Sequence, residues 1–339
     1  MKPMRAAGMT LIEMLIAVAM VSIAMTVSVS VLTTGVNVAR KGEQFVSSNE
    51  ASRLAMEFLL RDLRAAGMGA PGGLIVTEPG GIPVTINPLF TEAGPNGTDM
   101  LWMVVPRWNV MASNCSKKGS GVPLATSGTG TLKVVCTTPA LTVGDTLMVS
   151  NFTTAALISG TTFPTATTIA YAESNASFSN SPSKGAFQRG DVAFPVDIVR
   201  YSIEVSAVTG RPELLRHVGT LNSPVSAAQP FRVVAGAAMM RSIDIEDLQV
   251  AFGSGSAPNL NFVSGHAPGF NGVPTQSVRI SVVGITPLPI RTTQGNGLEP
   301  FTPVNVEDHV YATPAVIDGY RRSVYRRRVD LPNLNPVNM

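Results

Sequence analysis

Few residues in this chain are of types and spacings that could do chemistry. Cys115 and Cys136 lack the paired spacing of a zinc site, and His217, His266 and His309 stand apart from them and from one another. There is no H-E-x-x-H, no G-x-S-x-G and no phosphate-binding loop, so catalysis finds no support. Gly67-Met68-Gly69-Ala70-Pro71-Gly72 does match G-x-G-x-x-G. A dinucleotide site needs that motif after a strand and opening a helix; here it ends a helix and contains proline, and the match is rejected. The expectation is a chain that is not an enzyme and holds neither cofactor nor metal. Two features remain. Glu13 stands at the mouth of a long uncharged run, and Arg321, Arg322, Arg326, Arg327 and Arg328 crowd the segment Tyr320–Val329.

Composition marks the elements that must position these residues. The 339 residues are 45% hydrophobic and only 14% charged. That charged share, against a usual ~25%, argues against a nucleic-acid-binding domain, and the apolar share is too high for disorder. Of 25 prolines one is Pro3 and the rest fall from Pro71 onward. Because proline costs ~3 kcal/mol inside a helix, the first part can be one long helix and the remainder cannot be built from long helices. Charge divides too. Without Lys2, Arg5 and the five C-terminal arginines, 18 basic residues face 22 acidic ones, so the net charge of +3 is local in origin.

From Met14 to Ala39 no residue is charged, 26 positions in a row. As a helix this run would reach ~39 Å, more than the ~30 Å core of a bilayer. Lys2 and Arg5 favour a cytoplasmic N-terminus and an exported body, with Arg40 and Lys41 mildly opposed. A cleaved secretory signal or a plain anchor would suit such a segment, yet neither accounts for Glu13, since a carboxylate costs ~2.5–3.5 kcal/mol near the bilayer centre. Further along, Leu54, Phe58, Leu59, Leu63 and Ala66 predict an apolar stem face, and Arg53, Glu57, Arg61 and Asp62 a charged one. Gly67, Gly69 and Pro71 predict its end.

The body shows short runs bounded by Gly, Pro, Asn and Ser: Met100–Val105, Leu132–Cys136, Leu141–Ser150, Asp197–Val205, Leu214–Val218, Ile243–Phe252 and Ser277–Ile285. Val196–Val208 and Glu213–Val218 around Thr209-Gly210-Arg211-Pro212 read as a hairpin. In Val278-Arg279-Ile280-Ser281-Val282 alternation predicts a half-buried strand. Asn151–Lys184, rich in Ser and Thr, reads as a surface insertion. In an oxidising compartment Cys115 and Cys136 would form one disulfide worth ~3 kcal/mol, the other reading being two unpaired thiols. The fold expected is α+β, a long N-terminal helix packed on an antiparallel β-rich head.

Gly8-Met9-Thr10-Leu11-Ile12-Glu13 ahead of an uncharged helix resembles the class III signal of type IV prepilins and pseudopilins. The resemblance implies cleavage after Gly8 on the cytoplasmic side, N-methylation of Met9, and Glu13 as the glutamate that pairs with a mature N-terminal ammonium during assembly. Met9 stands where Phe is commonest in that family. The implied organisation is a leader at 1–8, a pilin helix at 9–66 with its transmembrane part at about 14–34, and a periplasmic or extracellular head at 67–339. Asp62-Leu-Arg-Ala-Ala-Gly67, Val143-Gly-Asp145-Thr-Leu-Met148, Ile243–Val250 and Tyr320–Asn333 further resemble the PilW family of minor pilins. That family implies a low-copy subunit of a priming or tip complex that starts pilus assembly. Its implied partners are a prepilin peptidase and methyltransferase, other minor pilins, the major pilin, a PilY-type tip adhesin, and the inner membrane before assembly. A J-type pseudopilin of a type II secretion system, and a displayed head for adhesion or DNA uptake, are the alternatives. The arginine cluster has three readings: a solvated run flanking a strand, a docking surface for another minor pilin, or DNA capture. The acidic, aromatic-poor body disfavours the last.

Overall fold

The computed structural model describes residues 10–70, 74–77, 83–107, 129–133, 146–150, 155–165, 168–172, 192–221, 231–254, 260–264, 277–290, 298, 306, 307, 309 and 319–331. Its backbone divides into two compact units. One comprises Met1–Ser48, Thr286–Phe301 and Ala315–Arg321; the other comprises Asn49–Ile285, Thr302–Pro314 and Arg322–Met339.

A single helix, α1 (Leu11–Ala65), runs through the proline-free region. In the first unit its side chains from Leu11 to Arg40 are exposed throughout, including Leu15, Ile16, Val21, Ile23 and Leu32. Packing within the chain therefore does not explain this half of the helix, which is long and apolar enough to cross a membrane. In the same unit Thr286 N–H donates to Arg321 C=O at 2.9 Å and Ile290 N–H to Gly319 C=O at 2.7 Å. Gly319 takes a φ of +74°, and a Cβ there would sit 3.0 Å from the Ile290 carbonyl, so the turn needs glycine.

The second unit holds the end of α1 and two sheets. The larger contains β1 (Leu74–Thr77), β2 (Pro83–Ile86), β3 (Leu89–Ala93), β4 (Asp99–Pro106), β5 (Thr129–Lys133), β6 (Thr146–Ser150), β7 (Ala155–Thr165), β8 (Thr168–Ala172), β9 (Val192–Val205), β10 (Pro212–Leu221) and β11 (Phe231–Ile243). Its main path is β11-β10-β9-β6-β7-β1-β2. The smaller sheet is β13-β12-β14-β15, from β12 (Ile245–Ser254), β13 (Asn261–Ser264), β14 (Ser277–Ile285) and β15 (Arg322–Asp330). Described pairs are antiparallel save β1 with β7. The expected hairpin is β9 and β10, in register from Pro212 opposite Val205. Chain passes from one sheet to the other at Asp244, whose φ of +66° turns a corner between β11 and β12. Arg211 pairs with its carboxylate there.

One core joins the pieces of this unit. Ala55, Met56, Leu59 and Leu63 of α1 meet Leu101, Met103, Val199 and Ile203 of the large sheet and Leu248, Val250, Ile280 and Val282 of the small one. Burial of this kind is worth ~25 cal/mol per Å² of apolar surface, which is what fixes the stem in the head.

Three expectations change. Leu59, Leu63 and Ala66 of the expected stem face are buried and Phe58 is half-buried, but Leu54 is exposed, and Ser48, Ser52, Ala55, Met56, Asp62 and Ala65 are buried as well. Spacing alone could not choose this set, because stem residues of both kinds recur at i, i+4, and a charged side chain with partners can lie inside. Asn151–Lys184 contains β7 and β8, so its described part is a sheet hairpin; β-branched threonines suit strands as well as loops. The arginine run forms strand β15 itself where a run flanking a strand was expected. Tyr325 and Val329, opposite Val282 and Val278, supply the apolar contacts that hold it.

Candidate functional site

The helix start carries a reciprocal cap. Thr10 precedes the first helical residue, and its Oγ1 accepts from the Glu13 N–H at 3.4 Å. In return Glu13 Oε2 accepts from the Thr10 N–H at 2.8 Å and from its hydroxyl at 2.9 Å. This is a capping box, in which two orphan amides of the first turn are satisfied and a carboxylate lies where the helix dipole favours negative charge. The Thr-x-x-Glu spacing was present in the sequence and announces it. Glu13 thus has donors from its own chain. Gly8 and Met9, where processing is expected, lie outside the described residues.

Through the uncharged run the polar side chains are occupied locally. Ser22, Thr26 and Ser28 each donate to the carbonyl four residues earlier at 2.8 Å, namely those of Val18, Ser22 and Ala24. Thr33 and Thr34 do the same towards Val29 and Ser30, at 3.0 and 2.8 Å. Such bonds let hydroxyls enter an apolar environment at little cost.

Where the helix enters the head, Asp62 forms a buried junction. Its Oδ2 accepts from the Tyr201 hydroxyl of β9 at 2.8 Å and from Arg216 Nε of β10 at 2.7 Å. Burial pushes the Tyr201 phenol far above its ordinary range, and the Asp62 charge adds to the rise. Burial opposes the charge of Arg216, but Asp62 outweighs it and holds the guanidinium above its ordinary range. The junction is therefore a charged pair with a neutral phenol, tying one helix to two strands. No sequence signal finds it, since Asp62 and Arg216 are 154 positions apart. The exit turn adds backbone ties: Gly67 N–H donates to Val104 C=O at 3.0 Å, and the Ser150 hydroxyl donates to Gly69 C=O. At Gly69, φ +84°, a Cβ would meet the Phe194 ring at 2.9 Å.

The arginines of β15 do not act as one cluster. Arg322 grips Glu246 through two bonds of 2.5 and 2.8 Å. Arg326 meets Ser281 at 3.1 Å and Glu307 at 3.5 Å, and Arg328 meets Asp330 at 3.0 Å. Arg326, Arg327 and Arg328 are exposed, as is Arg321 just before the strand. Glu307, at φ +53°, is held mainly by Arg279 at 2.9 and 2.5 Å.

His217 contacts Glu204 at 2.9 Å and His309 contacts the buried Asp247 at 2.7 Å. Among the described residues no three His, Cys, Asp or Glu side chains converge as metal donors. Cys115, Cys136 and His266 lie outside them.

Residues 3–29 match the family model described as the prokaryotic N-terminal methylation motif. No curated protein matches the chain. Among solved structures, a type IV-like pilin from Thermus thermophilus aligns with 84% of this chain and 97% of its own, at 11% identity and a TM-score of 0.34, a likeness too slight to carry an argument. The chain thus joins the N-terminal methylation motif to a helix long and apolar enough to cross a membrane and to a largely antiparallel β body.

Proposed function

We propose that the chain is a minor pilin of the PilW kind, a structural subunit of the priming or tip complex that begins a type IV pilus. The observation that carries this is the Gly8–Glu13 motif directly ahead of the uncharged helix, inside the matched segment 3–29. A cut between Gly8 and Met9 would leave the helix attached, so the subunit waits in the inner membrane with its head exported. The methylated Met9 ammonium of the mature chain could then replace Thr10 as partner of Glu13, in the same chain or a neighbour's. Length supports a low-copy role: 331 residues after the cut are many for the repeating subunit of a filament. Its working partners would be the prepilin peptidase and methyltransferase, other minor pilins, the major pilin and a PilY-type adhesin.

Deletion tests the reading. Loss of surface pili with normal exoprotein secretion is the expected result. Intact pili with blocked secretion would move the protein to a type II secretion system as a J-type pseudopilin.

A further inference from the structure

β15 is the outer member of the small sheet, with β14 as its sole described neighbour. In an antiparallel pair every second residue turns its N–H and C=O away from the partner strand, so an edge of this length is a template for one more strand. Charge decides what that strand can be. Arg326, Arg327 and Arg328 are consecutive and exposed. Strand geometry puts Arg326 and Arg328 on one face about 7 Å apart and Arg327 on the other. Neighbouring carboxylates offset this only in part, because Glu307 and Asp330 are shared among Arg279, Arg326 and Arg328. A second copy of the same edge would set arginine against arginine, which is unfavourable in directly opposed pairs. A carboxylate suits the planar fork of a guanidinium.

We infer that the outer edge of β15, unpaired among the described residues, receives at its exposed Arg326–Arg328 stretch an extended segment of another protein carrying carboxylates at three successive positions, which adds to the small sheet as its fifth strand. Backbone hydrogen bonds supply the affinity, and the arginines on both faces select acidic side chains and set the register. The inference deepens the minor-pilin reading by giving the chemistry of a neighbour, and it rests on that reading only for the place where the neighbour is met.

The test uses the full-length protein in detergent micelles and three labelled peptides. The first alternates Thr and Val around a central Glu-Glu-Glu, the second has Lys-Lys-Lys at the centre, and the third keeps the glutamates but carries prolines beside them. The glutamate peptide should bind, lose affinity as salt rises, and slow hydrogen exchange of β15 amides. Arg327→Glu, at an exposed position that leaves the described ion pairs intact, should weaken it about tenfold or more, and Arg327→Lys should restore part of the loss. Equal binding of the proline peptide, unchanged exchange in β15, or no binding of the glutamate peptide would each overturn the inference. So would duplex DNA that displaces the peptide at lower concentration and loses its own binding in Arg327→Glu. None of these outcomes touches the deletion phenotype, which judges the pilus reading separately.

Discussion

At the scale of single residues Asp62 is the most consequential side chain described. It belongs to the helix by sequence and to the head by its contacts, Tyr201 and Arg216. Asp62→Asn would replace the charge-assisted bond to the half-buried Arg216 guanidinium with a neutral one, and a loss of about 1.5–3 kcal/mol of head stability is expected in chemical denaturation. Tyr201→Phe removes one neutral donor and should cost about 1 kcal/mol. Its larger effect is on pH dependence. The folded phenol lies above its ordinary value, so its contribution is complete below the unfolded pKa of about 10 and is lost as pH rises beyond it. Melting between pH 8 and 11 should therefore fall more steeply in the wild type than in Tyr201→Phe; equal slopes would remove Tyr201 from the account. Sequence alone puts Asp62 on the charged face of the stem, because a charged residue next to Arg61 in a helix is solvated far more often than buried. Its partners come from strands remote in the chain, and no local pattern reports them. Glu13 is the opposite case: its importance and its partner, Thr10, both lie in six consecutive residues.

At the scale of elements, α1 was legible nearly to its ends, since absence of proline, absence of charge and the closing glycines all act locally. Several strands were legible for the same reason, β14 to the residue. β15 and β7 were not. Arginine and threonine are ambivalent until their neighbours are known, and it is Val278 and Val282 across the ladder that give Val329 and Tyr325 something to cover. The helix also carries two glycines, Gly35 and Gly42, with nothing within 4 Å of where a Cβ would be. Each weakens the helix by about 1 kcal/mol relative to alanine. Gly35→Ala and Gly42→Ala should therefore raise helix content and thermal stability of the free subunit in micelles, read by circular dichroism. If the same variants still assemble, the glycines have no role in close packing; if they fold better yet assemble worse, the space beside them is needed by a neighbour.

At the scale of the whole molecule, two features were out of reach of sequence: the division of the head into two sheets and the corner at Asp244 that divides them, since a positive φ at an aspartate leaves no mark in composition. The function proposed lives at this scale, and so does its sharpest mutation. Glu13→Ala should be inserted and processed normally but enter filaments poorly, as judged by subunit in sheared surface fractions against membrane; normal incorporation would refute an assembly role for the carboxylate. The hydroxyls along α1 bear on the return journey. Ser22, Thr26, Ser28, Thr33 and Thr34 are bonded to their own backbone. Moving this helix from lipid into a bundle of like helices would exchange one greasy surround for another without making or breaking those bonds. On the proposed function those hydroxyls would neither favour nor oppose the passage, and its direction would have to be set by other contacts and by whatever work is done on the subunit.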